Sequence, residues 1–235
     1  MRVAIVVPTL NEETTIASTL RAALAALGPP AARDEQDELV VSDGGSTDRT
    51  VELASTLGVR VVTGPAGRGG QLNRGAAATT AEILLFLHAD TTLPAGALAA
   101  IRGALGGSGG QAIGGAFLMR FDDDRPLLRL GGWLINLRTR ATRLPLGDQA
   151  HFVARAAFSQ LGGYRDWPIL EDLDFAWRLR RHGRTVILKQ RVTTGARRFV
   201  ELGVARTVAT NWLIWFLFVA GVSPRRLARL YSQVR

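Results

Sequence analysis

Four short segments in the first ninety residues combine glycines with polar and charged side chains of types that can hydrogen-bond a sugar, a base or a phosphate, and each follows an apolar run. They cover residues 8–12, 43–48, 67–74 and 88–91. In the third segment, glycines and an arginine precede a predicted helix, which is a favourable place for a phosphate. In the fourth, Asp90 follows a wholly apolar run. A carboxylate there, together with diphosphate oxygens, suits a hard cation such as Mg²⁺ or Mn²⁺.

Each segment also has an interpretation that involves no ligand. Taken alone, the first is best explained by Asn11 capping a helix whose dipole Glu12 complements. The glycines at 43–48 form a turn before a second helix cap. The third segment has neither the P-loop nor the G-x-G-x-x-G spacing, so a basic surface loop is the alternative. Capping fits Asp90 less well, because the next predicted helix starts four residues later.

These segments must be positioned by strands and helices that alternate along the first half of the chain. Apolar runs predict strands over residues 2–7, 38–42, 59–63 and 83–87. Helical spacing predicts helices over residues 12–27, 48–57, 71–79 and 94–105. Continuously apolar strands are typical of a parallel sheet covered by helices on both faces. The order predicts an α/β fold of the doubly wound type, whose ligands bind beyond the carboxyl ends of the strands.

The second half is predicted to follow a flexible, glycine-rich connection over residues 103–115. The elements expected there are strands at 116–121 and 185–189 and helices at 126–143, 156–161 and 172–182. Residues 202–222 are mostly apolar and rich in tryptophan and phenylalanine, and a basic amphipathic helix follows. Packing on the domain, formation of a homodimer and contact with a membrane surface are the open interpretations of this last part.

The composition limits the classes of protein to consider. The chain has 235 residues, 47% of them hydrophobic, which suits one large domain or one domain with an appendage. The absence of cysteine excludes disulfides and thiolate metal sites. The N-terminal apolar run is too short for a signal peptide, so a cytoplasmic location is expected. A formal charge of +9 favours an anionic partner, and without a nucleic-acid recognition pattern we prefer a phosphorylated ligand or anionic lipid.

Taken as a set, the four segments resemble those of the family 2 glycosyltransferases, in the same order after successive strands. The later Leu170-Glu171-Asp172 is similar to the "ED" motif of that family. The resemblance covers about residues 2–190. It implies a GT-A fold, a Rossmann-like mixed sheet flanked by helices. His-Ala-Asp in place of Asp-x-Asp and the short chain resemble a bacterial branch of that family.

The resemblance implies a role for each matching residue. The expected donor-binding residues are Pro8, Thr9, Asn11, Glu12, Asp43, Arg68, His88, Asp90, Arg197 and Arg198. Within this set Asp43 would contact the base, usually uracil, and Asp90 would bind the metal. Arg197 and Arg198 resemble a later basic motif that covers the diphosphate.

Two departures from the family pattern affect these roles. His88 stands where the first carboxylate of Asp-x-Asp would be, so dependence on Mg²⁺ or Mn²⁺ stays open. The Q-x-x-R-W motif of processive relatives is also absent from the sequence, which argues against polymer synthesis.

The chemistry of sugar transfer needs two further kinds of group. The departing diphosphate must be neutralised by a metal or by arginine, and a base must take the proton of the acceptor hydroxyl. Asp172 is the preferred base and Glu171 the second choice, and a one-step displacement would invert the anomeric centre. Asp148 and Gln149 lie in the half where such enzymes bind acceptors, so both are expected to contact acceptor hydroxyls.

The sequence therefore predicts an inverting glycosyltransferase that moves a hexose from a UDP-sugar to an acceptor hydroxyl. Residues 1–200 would form the GT-A domain, with a nucleotide-binding half (1–102) and an acceptor half (113–200). Residues 201–235 would add helices that favour a lipid-like acceptor and peripheral contact with the inner face of a membrane. The alternatives are a nucleotidyltransferase, which would carry a glycine- and lysine-rich loop after the first strand, and a non-catalytic nucleotide-binding protein.

Overall fold

The first half of the chain alternates strands and helices as expected. The computed structural model describes residues 1–28, 37–106 and 112–234. The elements of this half are β1 (Val3–Thr9), α1 (Ile16–Leu27), β2 (Glu38–Asp43), α2 (Thr50–Thr56), β3 (Arg60–Thr63), α3 (Arg68–Ala77), β4 (Ile83–Phe86), β5 (Thr91–Thr92) and α4 (Ala97–Gly106). Strand β4 and residues 3–7 of β1 are apolar because helices cover both faces of the sheet, and every side chain from Val3 to Val7 is inaccessible to solvent.

The second half supplies three strands and the remaining helices. They are β6 (Gly114–Phe121), α5 (Pro126–Thr142), a 3₁₀ turn (Gly147–Gln149), β7 (Phe152–Ala154), α6 (Arg155–Gln160), α7 (Glu171–His182), β8 (Thr185–Thr194), α8 (Arg197–Leu202), α9 (Val204–Val219) and α10 (Pro224–Val234). Among the described residues, no helix is both long enough and apolar enough to cross a membrane.

The eight strands of the described residues belong to one mixed sheet. Its order is β3-β2-β1-β4-β7-β6-β8-β5. The first four strands are parallel, β7 is antiparallel to both of its neighbours, and β6 and β8 run parallel. The polar segments after β1, β2 and β4 therefore meet at one edge, where parallel strands present their carboxyl ends. This arrangement confirms the predicted mixed α/β class.

Three local predictions were wrong. Asn11 does not cap α1, which begins at Ile16; it has a φ of 55° and lies in a turn. Residues 103–115 are not simply a connection, because 103–106 end α4 and 114–115 begin β6, while 107–111 lie outside the described residues. Strand β8 continues to Thr194 rather than ending at 189, because it pairs with β6 along the length of that strand.

The C-terminal helices pack on the second half. On α9, Trp215 and Phe218 lie against a buried cluster that includes Leu173 of α7. Leu227 of α10 is fully buried, so part of the predicted apolar stripe of that helix faces protein. Of the three open interpretations, packing on the domain therefore holds for these side chains, and α9 lies next to α7.

Candidate active site

The loops after β1 and β2 are joined by a dense hydrogen-bond network around Asp43. The Thr9 hydroxyl donates to Asp43 Oδ1 at 3.0 Å. Ser46 donates to the same oxygen from its hydroxyl at 2.5 Å, and the Gly45 and Ser46 N–H groups donate to Oδ2 at 2.8 Å. Burial opposes ionisation, but the hydrogen bonds from Ser46, Gly45 and Thr9 outweigh it and lower the pKa of Asp43. Because the Asp43 carboxylate accepts four hydrogen bonds from these loops, it stabilises the loop conformation.

Asn11 and Glu12 fasten this loop to the start of α2. Asn11 Oδ1 accepts a hydrogen bond from the Thr47 N–H at 2.9 Å. The Glu12 N–H donates to Thr50 Oγ1 at 2.8 Å. Asn11 therefore holds the two loops together, a role that its position after β1 did not reveal.

Gln71 ties α3 across the ends of β1 and β2. Its buried amide donates to the Thr9 carbonyl oxygen at 2.7 Å and to the Ser42 carbonyl oxygen at 3.2 Å. Arg74, one turn later, donates to the Asp43 carbonyl oxygen at 2.8 Å. The sequence analysis missed both residues. These contacts position the first turn of α3, from which Arg68 projects.

Arg68 joins the first half of the chain to α7. Its Nε lies 3.3 Å from Glu171 Oε1 and its Nη2 lies 3.1 Å from His88 Nδ1. Since a guanidinium can only donate, His88 Nδ1 must accept, which assigns the proton of a neutral ring to Nε2. Burial and the Arg68 charge hold the pKa of His88 well below its usual value. His88 is thus a neutral partner of Arg68, and its Nδ1 lone pair is engaged.

Asp90 lines the cleft, and Glu12 and Arg197 lie near enough for the charges of the three residues to interact. Burial raises the pKa of Asp90. A hydrogen bond from Thr91 and the charges of Arg68 and Arg197 lower it, but the effect of burial is larger. Burial also raises the pKa of Glu12, and the charge of Asp90 adds to it. Arg197 donates to Thr14 Oγ1 at 3.0 Å. The side chain of Arg198 lies outside the described residues.

Asp90 is the candidate ligand for a metal ion at this cleft. Within the described part of the chain, no three His, Asp or Glu side chains gather into a metal site. Asp90 nevertheless stands at the cleft, and Mg²⁺ commonly uses one or two carboxylates together with substrate phosphates and water. The residues therefore fit a cation that is shared with a bound diphosphate, and do not form a closed site of their own.

Glu171 and Asp172 begin α7 directly after Leu170, whose φ of 63° is unusual for a leucine. Asp172 Oδ2 accepts a 2.6 Å hydrogen bond from the Gly147 N–H, and Oδ1 accepts from the Leu173 N–H at 2.7 Å. Burial and the charge of Asp172 raise the pKa of Glu171 to about 7, with Arg68 acting in the opposite direction. Glu171 is thus buried and held by Arg68, whereas Asp172 is half-buried at the cleft.

Gly147 is the point where three of these side chains converge. A Cβ atom at this position would lie 2.6 Å from His88 Nε2, 2.9 Å from Arg68 Nη2 and 3.0 Å from Asp172 Oδ2. The sequence analysis did not single out Gly147. The only signal was a glycine next to the predicted acceptor residues.

Asp148 and Gln149, both predicted to bind the acceptor, lie in different environments. Asp148 lines the cleft, its Oδ1 is buried without a hydrogen-bond partner, and burial raises its pKa to about 6. Gln149 has no exposed surface. Its Oε1 accepts from Thr139 at 2.8 Å and its Nε2 donates to the Phe117 carbonyl oxygen at 3.2 Å. Gln149 therefore does not face the cleft, contrary to prediction, because its amide anchors the 3₁₀ turn.

The cleft has a volume of about 370 Å³ and brings together six of the predicted residues. These are Arg68, His88, Asp90, Asp148, Glu171 and Asp172. The other predicted donor residues, from Pro8 to Asp43, belong to the neighbouring loops rather than to its lining. The opposite wall comes from Phe199 of α8 and from Asn211, Ile214 and Trp215 of α9. The sequence analysis did not place the C-terminal helices at the site.

A Rossmann-like mixed sheet, loops at the carboxyl ends of its parallel strands and a carboxylate-lined cleft define a nucleotide-binding α/β protein of the GT-A class. The family model described as "Glycosyl transferase family 2" matches residues 4–160. The chain belongs to this family.

Two curated relatives show how far the likeness extends. Glucosyl-3-phosphoglycerate synthase of Mycolicibacterium smegmatis is 38% identical over 101 residues, which are 39% of this chain and 32% of the synthase. The match therefore spans about a third of that protein. A PGL/p-HBAD biosynthesis glycosyltransferase of Mycobacterium bovis is 32% identical over 181 residues, which are 73% of this chain and 66% of the relative.

Solved structures confirm the predicted fold. Glucosyl-3-phosphoglycerate synthase of Mycobacterium tuberculosis, solved with Mn²⁺, UDP and glucosyl-3-phosphoglycerate, superposes with a TM-score of 0.58 and 26% identity. The superposition covers 90% of this chain and 78% of that one. A mannosyltransferase of Pyrobaculum calidifontis, solved with GDP-Man and Mn²⁺, has a TM-score of 0.66 at 19% identity. It covers 99% of this chain and 69% of that one, and supports the fold alone.

Proposed function

We propose that the protein transfers a hexose from a UDP-sugar to an acceptor hydroxyl, with inversion at the anomeric carbon. The observation that carries the proposal is the placement of Asp172, held at 2.6 Å by the Gly147 N–H, in one cleft with Arg68 and Asp90. UDP is preferred as the nucleotide because the similar mycobacterial synthase was solved with UDP and with UDP-glucose.

In this proposal one half of the chain binds the donor and the other half binds the acceptor. Residues 1–102 bind the donor, with Pro8, Thr9 and Asp43 in the nucleoside loops and Arg197 above the diphosphate. Asp90 would hold a Mg²⁺ or Mn²⁺ ion together with the diphosphate, and the ion would neutralise the departing charge. Residues 113–200 bind the acceptor, and α9 forms the opposite wall of the cleft.

The base in this proposal is Asp172. Its carboxylate takes the proton from the acceptor hydroxyl as the oxygen bonds to the anomeric carbon and the bond to the diphosphate breaks. A single displacement from the opposite face inverts that carbon. Glu171 is less suited to this step because Arg68 holds it in a buried ion pair. Its role is to position Arg68, which stands near the leaving group.

The outer surface of α9 favours an acceptor carried by a lipid. Leu213, Phe216 and Val219 are exposed there although they are large and apolar. Arg225 and Arg226 begin the next helix. Exposed apolar side chains beside arginines are typical of helices that lie in the interface of an anionic membrane. The acceptor would then reach the cleft from the membrane surface.

Nucleotide binding tests the donor site. We expect UDP with Mn²⁺ to raise the melting temperature of the full chain, because a ligand that binds only the folded state stabilises it. Asp90→Ala should abolish the metal-dependent part of the shift, while the exposed control Asp124→Asn should retain it. If no nucleotide shifts the melting temperature of the wild type, the donor site does not exist and the proposal is wrong.

Vesicle flotation tests the membrane contact. The full chain should float with vesicles of anionic phospholipid, and the double variant Leu213→Ser/Phe216→Ser should float much less. Leu127→Ser removes a similarly exposed apolar side chain from α5 and serves as the matched control. Equal flotation of wild type and double variant would rule out this surface as the membrane contact.

A further inference from the structure

Three buried polar atoms beside the catalytic cleft have no hydrogen-bond partner. They are Asp148 Oδ1, Arg138 Nε and Trp215 Nε1. All three residues line a narrow extension of about 40 Å³. The extension shares Asp148, Trp215 and Asn211 with the main cleft, so the two spaces adjoin.

Leaving such groups unpaired costs free energy. A buried donor or acceptor without a partner is rare in folded proteins and demands an explanation. Arg138 is only 9% exposed, and its Nη2 reaches Thr139 Oγ1 at 3.3 Å and the Leu144 carbonyl oxygen at 3.5 Å, which leaves Nε unused. A ligand that supplies the missing hydrogen bonds would account for an arginine held in this place.

The types of the unpaired atoms indicate the ligand group. Arg138 Nε and Trp215 Nε1 can only donate, and an ionised Asp148 can only accept. A hydroxyl group of the ligand suits the two donors and the acceptor, because it can accept from the N–H groups and donate to the Asp148 carboxylate. A carbonyl or ether oxygen would leave Asp148 unsatisfied.

The charges around the extension argue against an anionic ligand. Among the described lining residues, Arg68 is already paired with Glu171, and Arg138 is the remaining guanidinium. Arg138 faces the charges of Asp148 and Asp172. A phosphate or carboxylate would therefore meet no excess of positive charge. The other walls are apolar and include Ile135, Val208 and Trp212.

We infer that this extension is an acceptor subsite for a neutral alcohol that carries an apolar arm, recognised by Asp148, Arg138 and Trp215. The inference rests on the proposed transferase function and deepens it. It makes α9 a determinant of acceptor specificity. The neutral acceptor inferred for this chain also differs from phosphoglyceric acid, the anionic molecule with which the similar synthase was solved.

Two probes with the same arm test the inference by titration calorimetry on the full chain saturated with UDP and Mn²⁺. Hexyl β-glucoside carries neutral hydroxyls, and hexyl phosphate carries an anion. The wild type should bind the glucoside more tightly than the phosphate. Trp215→Phe keeps an aromatic ring but loses the N–H, so it should weaken glucoside binding by about 3- to 10-fold. Trp177→Phe on the outside of α7 is the matched control and should bind as the wild type does.

A second variant reverses the preference. Asp148→Asn removes the negative charge at the unpaired oxygen, and should raise the affinity for hexyl phosphate by about 10-fold or more because a close like charge is lost. Tighter binding of the phosphate by the wild type, or no effect of either substitution, would overturn the inference. UDP binding is measured beforehand on each variant without the two probes, which keeps the two proposals apart. A loss of UDP binding would contradict the donor site, whereas a loss of glucoside binding alone concerns the acceptor subsite.

Discussion

The N–H of Gly147 donates to Asp172 Oδ2 at 2.6 Å, and Gly147 has no room for a side chain because His88 and Arg68 lie beside it. Gly147→Ala should therefore displace Asp172 or the Arg68–His88 pair. A shift of about 1 Å in a catalytic group can cost about 100-fold in rate, so we expect kcat for sugar transfer or UDP-sugar hydrolysis to fall by that order. UDP affinity reports which group moves, because it should fall if Arg68 is displaced and stay near that of the wild type if only Asp172 is displaced.

The control for this substitution is Gly70→Ala in α3. A Cβ atom there would meet no neighbour, so activity should be unchanged. Equal kcat values for Gly147→Ala and wild type would show that the close approach to Asp172 has no catalytic role.

Asp172→Asn should lower kcat by about 10²- to 10⁴-fold, the range typical of the loss of a general base. The asparagine side-chain oxygen can still accept from the Gly147 N–H, but its NH₂ group cannot accept from the Leu173 N–H. The melting temperature should therefore fall slightly, while the UDP-induced shift should stay near that of the wild type. Rates measured at saturating UDP-sugar check this. A variant with full activity would remove Asp172 from the mechanism and leave Glu171 as the candidate base.

Glu171 makes the stability of the protein depend on pH. Its pKa is raised from 4.5 to about 7 in the folded state by burial and by Asp172. A raised carboxyl pKa contributes stability that is complete below about pH 4.5 and is lost as the pH rises through about 7. Glu171→Gln cannot titrate. The free energy of unfolding of wild type relative to this variant should therefore fall by about 1–3 kcal/mol between about pH 4.5 and pH 8.

Chemical denaturation at several pH values measures that difference. If the difference between wild type and Glu171→Gln were constant over the range, or grew with pH, the ion pair with Arg68 would outweigh the effects of burial and of Asp172.

Gln71→Leu should destabilise the protein by about 1–3 kcal/mol, because the Thr9 and Ser42 carbonyl oxygens would lose a buried donor. Arg68 lies one turn earlier in α3, so UDP affinity should fall as well. Gln160→Leu in α6 is the control and should leave both quantities almost unchanged, because the hydrogen bond between its amide and His182 is exposed to solvent. Urea denaturation and calorimetry with UDP measure the two effects. An unchanged midpoint for Gln71→Leu would contradict the proposed role of its amide.

The sequence by itself predicted the alternating strands and helices of the first half and the edge where the polar segments meet, but not the short strands β5 and β7 or helix α8. Continuous apolar runs such as residues 83–87 report burial on both faces, and parallel strands bring their carboxyl ends to a common edge. This reasoning selected the segments that hold Arg68 and Asp90, and the resemblance to the family 2 glycosyltransferases added Asp172. The structure brings all three residues into one cleft.

The tertiary structure alone decided which polar side chains face the cleft. Asp148 and Gln149 are adjacent in sequence, yet Asp148 lines the cleft and has an unpaired buried oxygen, while Gln149 bonds Phe117 and Thr139 in the core. Likewise, only the packing of α9 against α7 brings Trp215 to the cleft wall. Periodicity reports that a residue is buried, but its partners come from distant parts of the chain, and only the folded arrangement specifies them.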